Sequence, residues 1–216
     1  MRYAPGNRLP RHRHEHGYAA LVVAGSYQEA GDAGRFRTEP GTLVVHGRFE
    51  AHQNHFSSSG AQVLDLPLKG CPGALFGCVA DADEIVRLAE RDLEAAAHLA
   101  LASLKPGPEM MADWPDLLAA ELRSGKVFDL RGWAMRIGIA PSSLSRGFAQ
   151  AYGVSPKRYR ADGRARAAYS ALSGRMDSLA SLAIDLEFAD QAHMSREIRS
   201  LSGFTPSQIR RAARSR

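Results

Sequence analysis

The sequence predicts an α+β fold in two domains, a small β-barrel followed by an all-α domain. Three observations predict it. Short apolar runs broken by turn residues fill residues 1–80. From residue 81 onward the apolar spacing becomes helical. Within the helical part, one supersecondary unit occurs twice. A chain of 216 residues accommodates two modest domains.

In the first part, Leu21-Val22-Val23 and Leu43-Val44-Val45 are strand-like runs. Gly25, Gly31, Gly34 and Pro40-Gly41 read as turns between strands, and "AQVLDLPL" continues the pattern. Many short strands with frequent turns suggest a sandwich or barrel. From Asp81 to Leu104, "DADEIVRLAERDLEAAAHLALASL" predicts one helix, with acids in its first turn. "KPGPE" breaks it, and a second helix covers "DWPDLLAAELRSG", with Gly125 as its stop. Residues 81–122 can link, dimerise or pack on the barrel, and the sequence leaves these three open.

Composition narrows the class. A hydrophobic content of 44% and a charged content of 24% fit a soluble globular chain. No apolar run approaches the ~20 residues that span a bilayer, so no membrane partner is expected. "MRYAPGNRLPRHRHEHG" lacks the apolar stretch of a secretory signal. With only Cys71 and Cys78 there is no disulfide framework, and a reduced, cytoplasmic setting is expected. Buried packing is the favoured reading of both cysteines, ahead of redox or metal chemistry.

The charge is uneven. Residues 123–216 carry 17 basic and 7 acidic side chains, a net of +10, whereas residues 1–122 carry 11 and 16, a net of −5. A basic C-terminal part beside an acidic N-terminal part points to a polyanion that meets the former alone.

The repeat lies in that basic part. Set against "HMSREIRSLSGFTPSQI", the stretch "SLSRGFAQAYGVSPKRY" aligns at an offset of 50. Leu144 matches Met194, Arg146 matches Arg196, Phe148 matches Ile198, and Gly153 matches Gly203. Upstream, Trp133-Ala134 answers Leu182-Ala183 at an offset of 49, a slip that a turn absorbs. Each copy has the parts of a helix-turn-helix. Gly138 opens the first turn, and Pro141 suits the first position of the next helix. In the second copy Asp190 is a good N-cap. At ~100° per residue, Leu144 and Phe148 face inward, with Ser142, Ser145, Arg146 and Ala149 roughly opposite. Likewise Met194, Ile198 and Leu201 face inward, leaving Gln191, Ala192, Ser195, Arg196 and Arg199 outside. Small residues allow close approach, and Arg and Gln can pair bidentately with guanine and adenine edges. The one acid near these faces is Glu197, at the boundary.

The segment 123–216 resembles the AraC/XylS-family DNA-binding domain. The residues carrying the resemblance are "APSSLSRGFAQAYGVSPKRY", "RARAAYSAL" and "EFADQAHMSREIRSLSGFTPSQIRR". The resemblance implies two helix-turn-helix units joined by a long central helix, with both recognition helices entering the major groove of double-stranded DNA. It places base-reading residues on Ser142, Ser143, Ser145 and Arg146, then on Gln191, Ala192, His193, Ser195 and Arg196. His193 can equally touch phosphate or be solvated, and Arg210, Arg211, Arg214 and Arg216 are candidates for phosphate contacts. Glu187 departs from the family, which usually has Gly before the Phe of the second turn. A carboxylate there is expected to cap the following helix or weaken a nearby phosphate contact.

Six of the eight histidines lie in the acidic part: His12, His14, His16, His46, His52 and His55. Imidazole is the commonest transition-metal ligand. In "HRHEH", alternate residues share one face of a strand, so His12, His14 and His16 can converge. This part resembles the cupin domain found at the N-terminus of many AraC-family regulators. The resemblance implies a His-x-His pair at His12 and His14 and a later His at His52, with His46 as the alternative. Where a carboxylate ligand should follow, Tyr18 stands nearest. Three readings stay open: a divalent transition-metal site, an organic-ligand pocket, or a His-rich arm without ligand.

The functional expectation is a sequence-specific transcription regulator. Residues 1–80 are its sensor for a metal or small molecule, 81–122 a helical segment able to dimerise, and 123–216 its DNA-binding domain. As a homodimer or monomer it would meet DNA, and RNA polymerase if it activates. It is not expected to be an enzyme. The competing expectation is a metal-dependent cupin enzyme with an appended DNA-binding domain.

Overall fold

The computed structural model describes residues 1–70, 75–107, 110–124, 128–174 and 177–214. Cys71, Gly125 and Arg216, singled out above, lie outside the described residues. The chain forms two compact units, Met1–Leu117 with Gln150–Gly153, and Leu118–Ala149 with Val154–Arg216.

The first unit is an antiparallel sheet. Its strands are β1 (Arg2–Tyr3), β2 (Arg8–Arg13), β3 (Tyr18–Gly31), β4 (Arg35–Arg37), β5 (Thr42–His46), β6 (Ala51–Pro67), β7 (Leu75–Cys78) and β8 (Lys105–Pro106). They run in the order β1-β6-β3-β5-β7-β8, with β2 on β6 and β4 on β3. The spine is β3 against β6, of 14 and 17 residues. Gly25 does not end a strand, as the turn reading expects, but bends one. It has φ +70°, and a Cβ on it would lie 2.1 Å from the carbonyl oxygen of Gly60. Register shifts flank it, between Val22 and Ala24 and between Gly25 and Tyr27. A glycine bulge of this kind folds a long strand over. The first half of β3 therefore pairs with β5, and the second half with β4.

Alternation along the strands gives the sheet two apolar faces. On one, Ala19, Leu21, Leu43, Val45 and Leu66 pack against Ile85, Ala96, Ala97 and Ala100. On the other, Ala20, Val22, Tyr27, Val44, Phe56 and Val63 cluster together. The residues Ile85 and Ala96–Ala100 belong to α1 (Ala82–Ala89) and α2 (Leu93–Ala102). The single helix expected over Asp81–Leu104 is thus two, because Asp92 supplies a cap in mid-run. Its side chain accepts from the amides of Glu94 at 3.0 Å and Ala95 at 2.9 Å. Asp81 caps α1 in the same way through Glu84, at 2.8 Å. Residues of α1 and α2 pack on the sheet, and the first unit runs on to Leu117. The unit also holds a buried ion cluster: Arg35 donates to Asp116 at 3.1 and 2.9 Å and pairs with Asp113. Asp113 and Asp116 lie at the start of α3 (Trp114–Arg123).

The second unit is helical, with α4 (Leu130–Arg136), α5 (Pro141–Tyr152), α6 (Pro156–Gly174), α7 (Leu179–Asp185), α8 (Gln191–Ser202) and α9 (Pro206–Arg214). Prolines open α5, α6 and α9, where a missing N–H costs nothing. Around the second repeat, Leu172, Leu182, Phe188, Met194, Ile198 and Ile209 form one core. Each fully buried side chain of this kind contributes about 1.5–3 kcal/mol. In the first repeat Trp133, Leu144 and Phe148 are buried, and Phe148 meets Tyr159 edge-on at 5.4 Å.

Candidate functional site

The two turns are built identically at the backbone. In the first, the amide of Gly138 donates to Met135 O at 3.2 Å, and that of Ile139 to Ala134 O at 3.0 Å. In the second, Glu187 donates to Ile184 O at 3.0 Å, and Phe188 to Ala183 O at 2.9 Å. This pair of bonds closes a helix only if the residue after its cap is left-handed. Gly138 has φ 72° and Glu187 has φ 57°, so a glutamate occupies a glycine conformation. Its carboxylate does not cap the next helix, as expected from sequence. Asp190 does that, accepting from the amide of His193 at 2.6 Å. Glu187 turns instead to α6, where Arg160 pairs with its carboxylate at 2.5 Å and Arg164 donates to its carbonyl at 2.6 Å.

These turns set α5 and α8 with matched outer faces. On α5, Leu144 and Phe148 are fully buried, while Ser142, Ser143 and Arg146 are exposed and Ser145 is half-buried. On α8, Met194 and Ile198 are fully buried, while Gln191, Ala192, Arg196 and Arg199 are exposed. Ser195 is half-buried, its hydroxyl donating to Gln191 O at 2.8 Å. Arg146, Arg196 and Arg199 pair with no carboxylate among the described residues. Glu197, the nearby acid, is engaged elsewhere, at 3.3 Å from Arg158 of α6. His193 leans inward: its ring meets Phe188 edge-on at 5.5 Å and lies 3.9 Å from Glu197. It is half-buried, like Ser145 and Ser195. Arg210 is likewise tied back, to the carbonyl of Asp177.

A second site lies in the first unit. A cavity of about 370 Å³ is lined by His12, His14, His46 and His52 together with Glu29, Tyr18 and Asp65. His12 and His52 are directly paired across β2 and β6, with ring centroids 4.4 Å apart. His14 lies 5.0 Å from His12, and His46 stacks on His52 at 4.2 Å. His16 lines the same cavity but belongs to neither close three-donor group, and His55 is exposed away from it. Tyr18 stacks on His46 at 4.7 Å, and its hydroxyl is 3.4 Å from His52 Nε2.

Sequence reasoning missed Glu29. It comes from mid-β3, where it pairs in register with Asn54, and its carboxyl lies 3.6 Å from His46 Nε2. The side-chain amide of Asn54 donates to it at 3.1 Å. Burial pushes the Glu29 carboxyl up to about 8, against the Asn54 hydrogen bond that favours its charge. Burial also pushes His46 down to about 3, helped by His14 and His12. His52 is held lower still, again by burial first. Burial thus disfavours the charged form of both partners in the Glu29–His46 contact. Donor atoms of His12, His14 and His52 lie within 4.8 Å of one another, and so do those of Glu29, His46 and His52. Nδ1 of His52 is buried with no hydrogen-bond partner. His12 has its Nδ1 on Pro10 O at 2.8 Å, which leaves Nε2 free as a donor to metal. Imidazoles, a carboxyl and a buried, unpartnered ring nitrogen fit a divalent transition ion.

Residues 133–212 match the family described as "Helix-turn-helix domain". The chain is 27% identical to the arabinose operon regulatory protein of Escherichia coli (strain K12) over 161 residues. That alignment covers 74% of this chain and 53% of the relative, so the chain spans about half the length of the curated relative it matches. Residues 133–212 form a helix-turn-helix domain. Among solved structures, the DNA-binding domain of AdpA, a global transcriptional factor solved in complex with a target DNA, is similar at TM-score 0.44 and 21% identity. It covers 48% of this chain and 96% of that one. ToxT from Vibrio cholerae is similar at TM-score 0.40 and 11% identity, over 96% of this chain and 91% of that one. In this helix-turn-helix domain, α5 and α8 are the second helices of the two repeats, and their outer faces carry Arg146 and Arg196 at equivalent positions.

Proposed function

We propose that this chain is a sequence-specific DNA-binding transcription regulator whose first unit senses a divalent transition metal or a small molecule. One observation carries the DNA reading: equivalent arginines, Arg146 and Arg196, stand on the outer faces of two matched helices, with no carboxylate partner among the described residues. An arginine kept free of acids on a small-residue helix face retains its fork for a guanine edge or a phosphate. Ser142, Ser143, Ser145, Gln191, Ala192 and Arg199 complete the two surfaces, with His193 at the margin. Phosphate contacts supply salt-dependent affinity, and the outer faces supply specificity. The histidine-lined cavity supports the sensing role, as it is the place where a ligand could bias the first unit. A homodimer on DNA, and RNA polymerase in activation, complete the proposed partners. Among the described residues no helix is long and apolar enough to cross a membrane.

The test starts from a DNA site selected by the full chain from a random pool. Arg146→Ala and Arg196→Ala should each weaken binding to that site by about 1–3 kcal/mol and relax the sequence preference at one position. Fluorescence anisotropy at fixed salt reads both effects. If neither substitution changes specific binding, these helix faces are not the recognition surface.

A further inference from the structure

We infer that the ion position in the first unit is the inner triad of Glu29, His46 and His52, with Glu29 as the carboxylate ligand of a divalent first-row transition cation. This rests on the metal-sensing reading above and names the residues that would hold the ion. His52 belongs to both three-donor groups, the inner one and the outer one with His12 and His14. One ion held by three donors must use one group or the other.

Burial favours the inner group. Glu29, His46 and His52 are 1, 4 and 3% exposed, whereas His12 is only half-buried. Charge favours it as well. An ion held by imidazoles alone keeps its full +2 inside an apolar wall, and an unpaired buried charge is strongly disfavoured. Glu29 brings the compensating carboxylate to the buried end of the cavity. Asp65, the other buried-side carboxyl lining it, lies near His14 and the N-terminal amine instead.

The surroundings of the inner triad are arranged around it. Asn54 holds Glu29 by its amide at 3.1 Å, and Tyr18 stacks on His46 at 4.7 Å. Gly31 makes room for His52, since a Cβ there would lie 2.9 Å from His52 Cβ. Partners that orient ligands in this way typically govern affinity 10–100-fold. A set of two imidazoles and one carboxylate suits zinc, iron, cobalt or nickel in the divalent state, ahead of calcium or copper(I). The about 370 Å³ of the cavity leaves room for water or a further ligand on the ion.

The experiment titrates Co(II), as the metal alone, into metal-free full chain and reads its visible absorption band, with Zn(II) competition for affinity. Glu29→Gln, which preserves shape, should lower affinity at least about tenfold and shift the band. His14→Ala should change affinity by less than about threefold. If His14→Ala loses the ion and Glu29→Gln keeps it, the outer histidines are the ligands; the inference falls and the metal reading stands. Equal loss in both variants also overturns the inner assignment. If the unaltered chain takes up neither ion, the metal reading itself fails. Circular dichroism checks that Glu29→Gln is folded, and His46→Gln replaces it under the same demands if it is not.

Discussion

The second turn of the helix-turn-helix domain places a measurable strain on one residue. Glu187 sits at φ 57°, where its counterpart in the first turn is Gly138 at φ 72°. A left-handed conformation costs an ordinary residue roughly 1–2 kcal/mol and glycine almost nothing. Against this, Glu187 makes an ion pair with Arg160, the two side chains 33 and 22% exposed. A pair that open to solvent contributes about 0.5–1 kcal/mol. Two substitutions separate these effects. Glu187→Ala loses the ion pair and keeps the strain, so it should destabilise the domain by about 0.5–1 kcal/mol. Glu187→Gly loses the pair and removes the strain. Glycine also frees the unfolded chain by about 0.5–1 kcal/mol, so the glycine variant should be roughly 1 kcal/mol more stable than the alanine variant. Hydrogen exchange reads this locally, through the amides of Leu186 and Met194, which donate to Leu182 O and Asp190 O. A difference of about 1 kcal/mol appears as roughly fivefold greater protection in the glycine variant. Equal protection, or greater protection with alanine, would refute the assignment of strain to this position.

Two further outcomes concern the first unit. Gly25→Ala sets a Cβ 2.1 Å from Gly60 O at φ +70°, and should cost about 2–4 kcal/mol, read as a lowered thermal midpoint; an unchanged midpoint would remove the bulge from its role as corner of the sheet. Arg35→Ala leaves Asp116, 7% exposed, without its charged partner and should cost about 3–5 kcal/mol in urea unfolding, whereas Arg35→Met combined with Asp116→Leu should recover most of it; no recovery would mean that more than the charge pair holds this corner.

Much of the second unit was legible because its signals are local. Pro141 and Asp190 start helices, and Gly153 and Gly203 follow at φ 70° and 77°. The repeat fixes the matching faces without any long-range information. The first unit hid more, for the opposite reason. Gly25 as a turn and Gly25 as a bulge are the same letter, and only the pairing of β3 with β6 tells them apart. Asp92 was overlooked as a cap because the Ala and Leu spacing runs through it unbroken. Glu29 carried no ligand-spacing signal. It lies 15 residues beyond His14, outside any ligand spacing, and reaches the histidines only because β3 lies beside β6. One cue existed in principle: a lone acid in the apolar run of β3, at a position whose neighbours two residues away, Tyr27 and Gly31, are both buried.

The arginines of α6 make the connecting helix a spacer of fixed length. Its 19 residues span about 28 Å at 1.5 Å per residue. Arg160 and Arg164 fasten it to the second turn, and Arg158 fastens it to α8 itself through Glu197. These three attachments tie α8 and its turn to α6, so separation and phase between α5 and α8 are set by the protein. On the DNA-binding reading proposed above, a duplex has to match that gauge. Inserting about five base pairs, half a turn, between the two groove segments would carry one of them to the far side of the double helix. The domain would then hold its DNA by one helix, with the other left facing water.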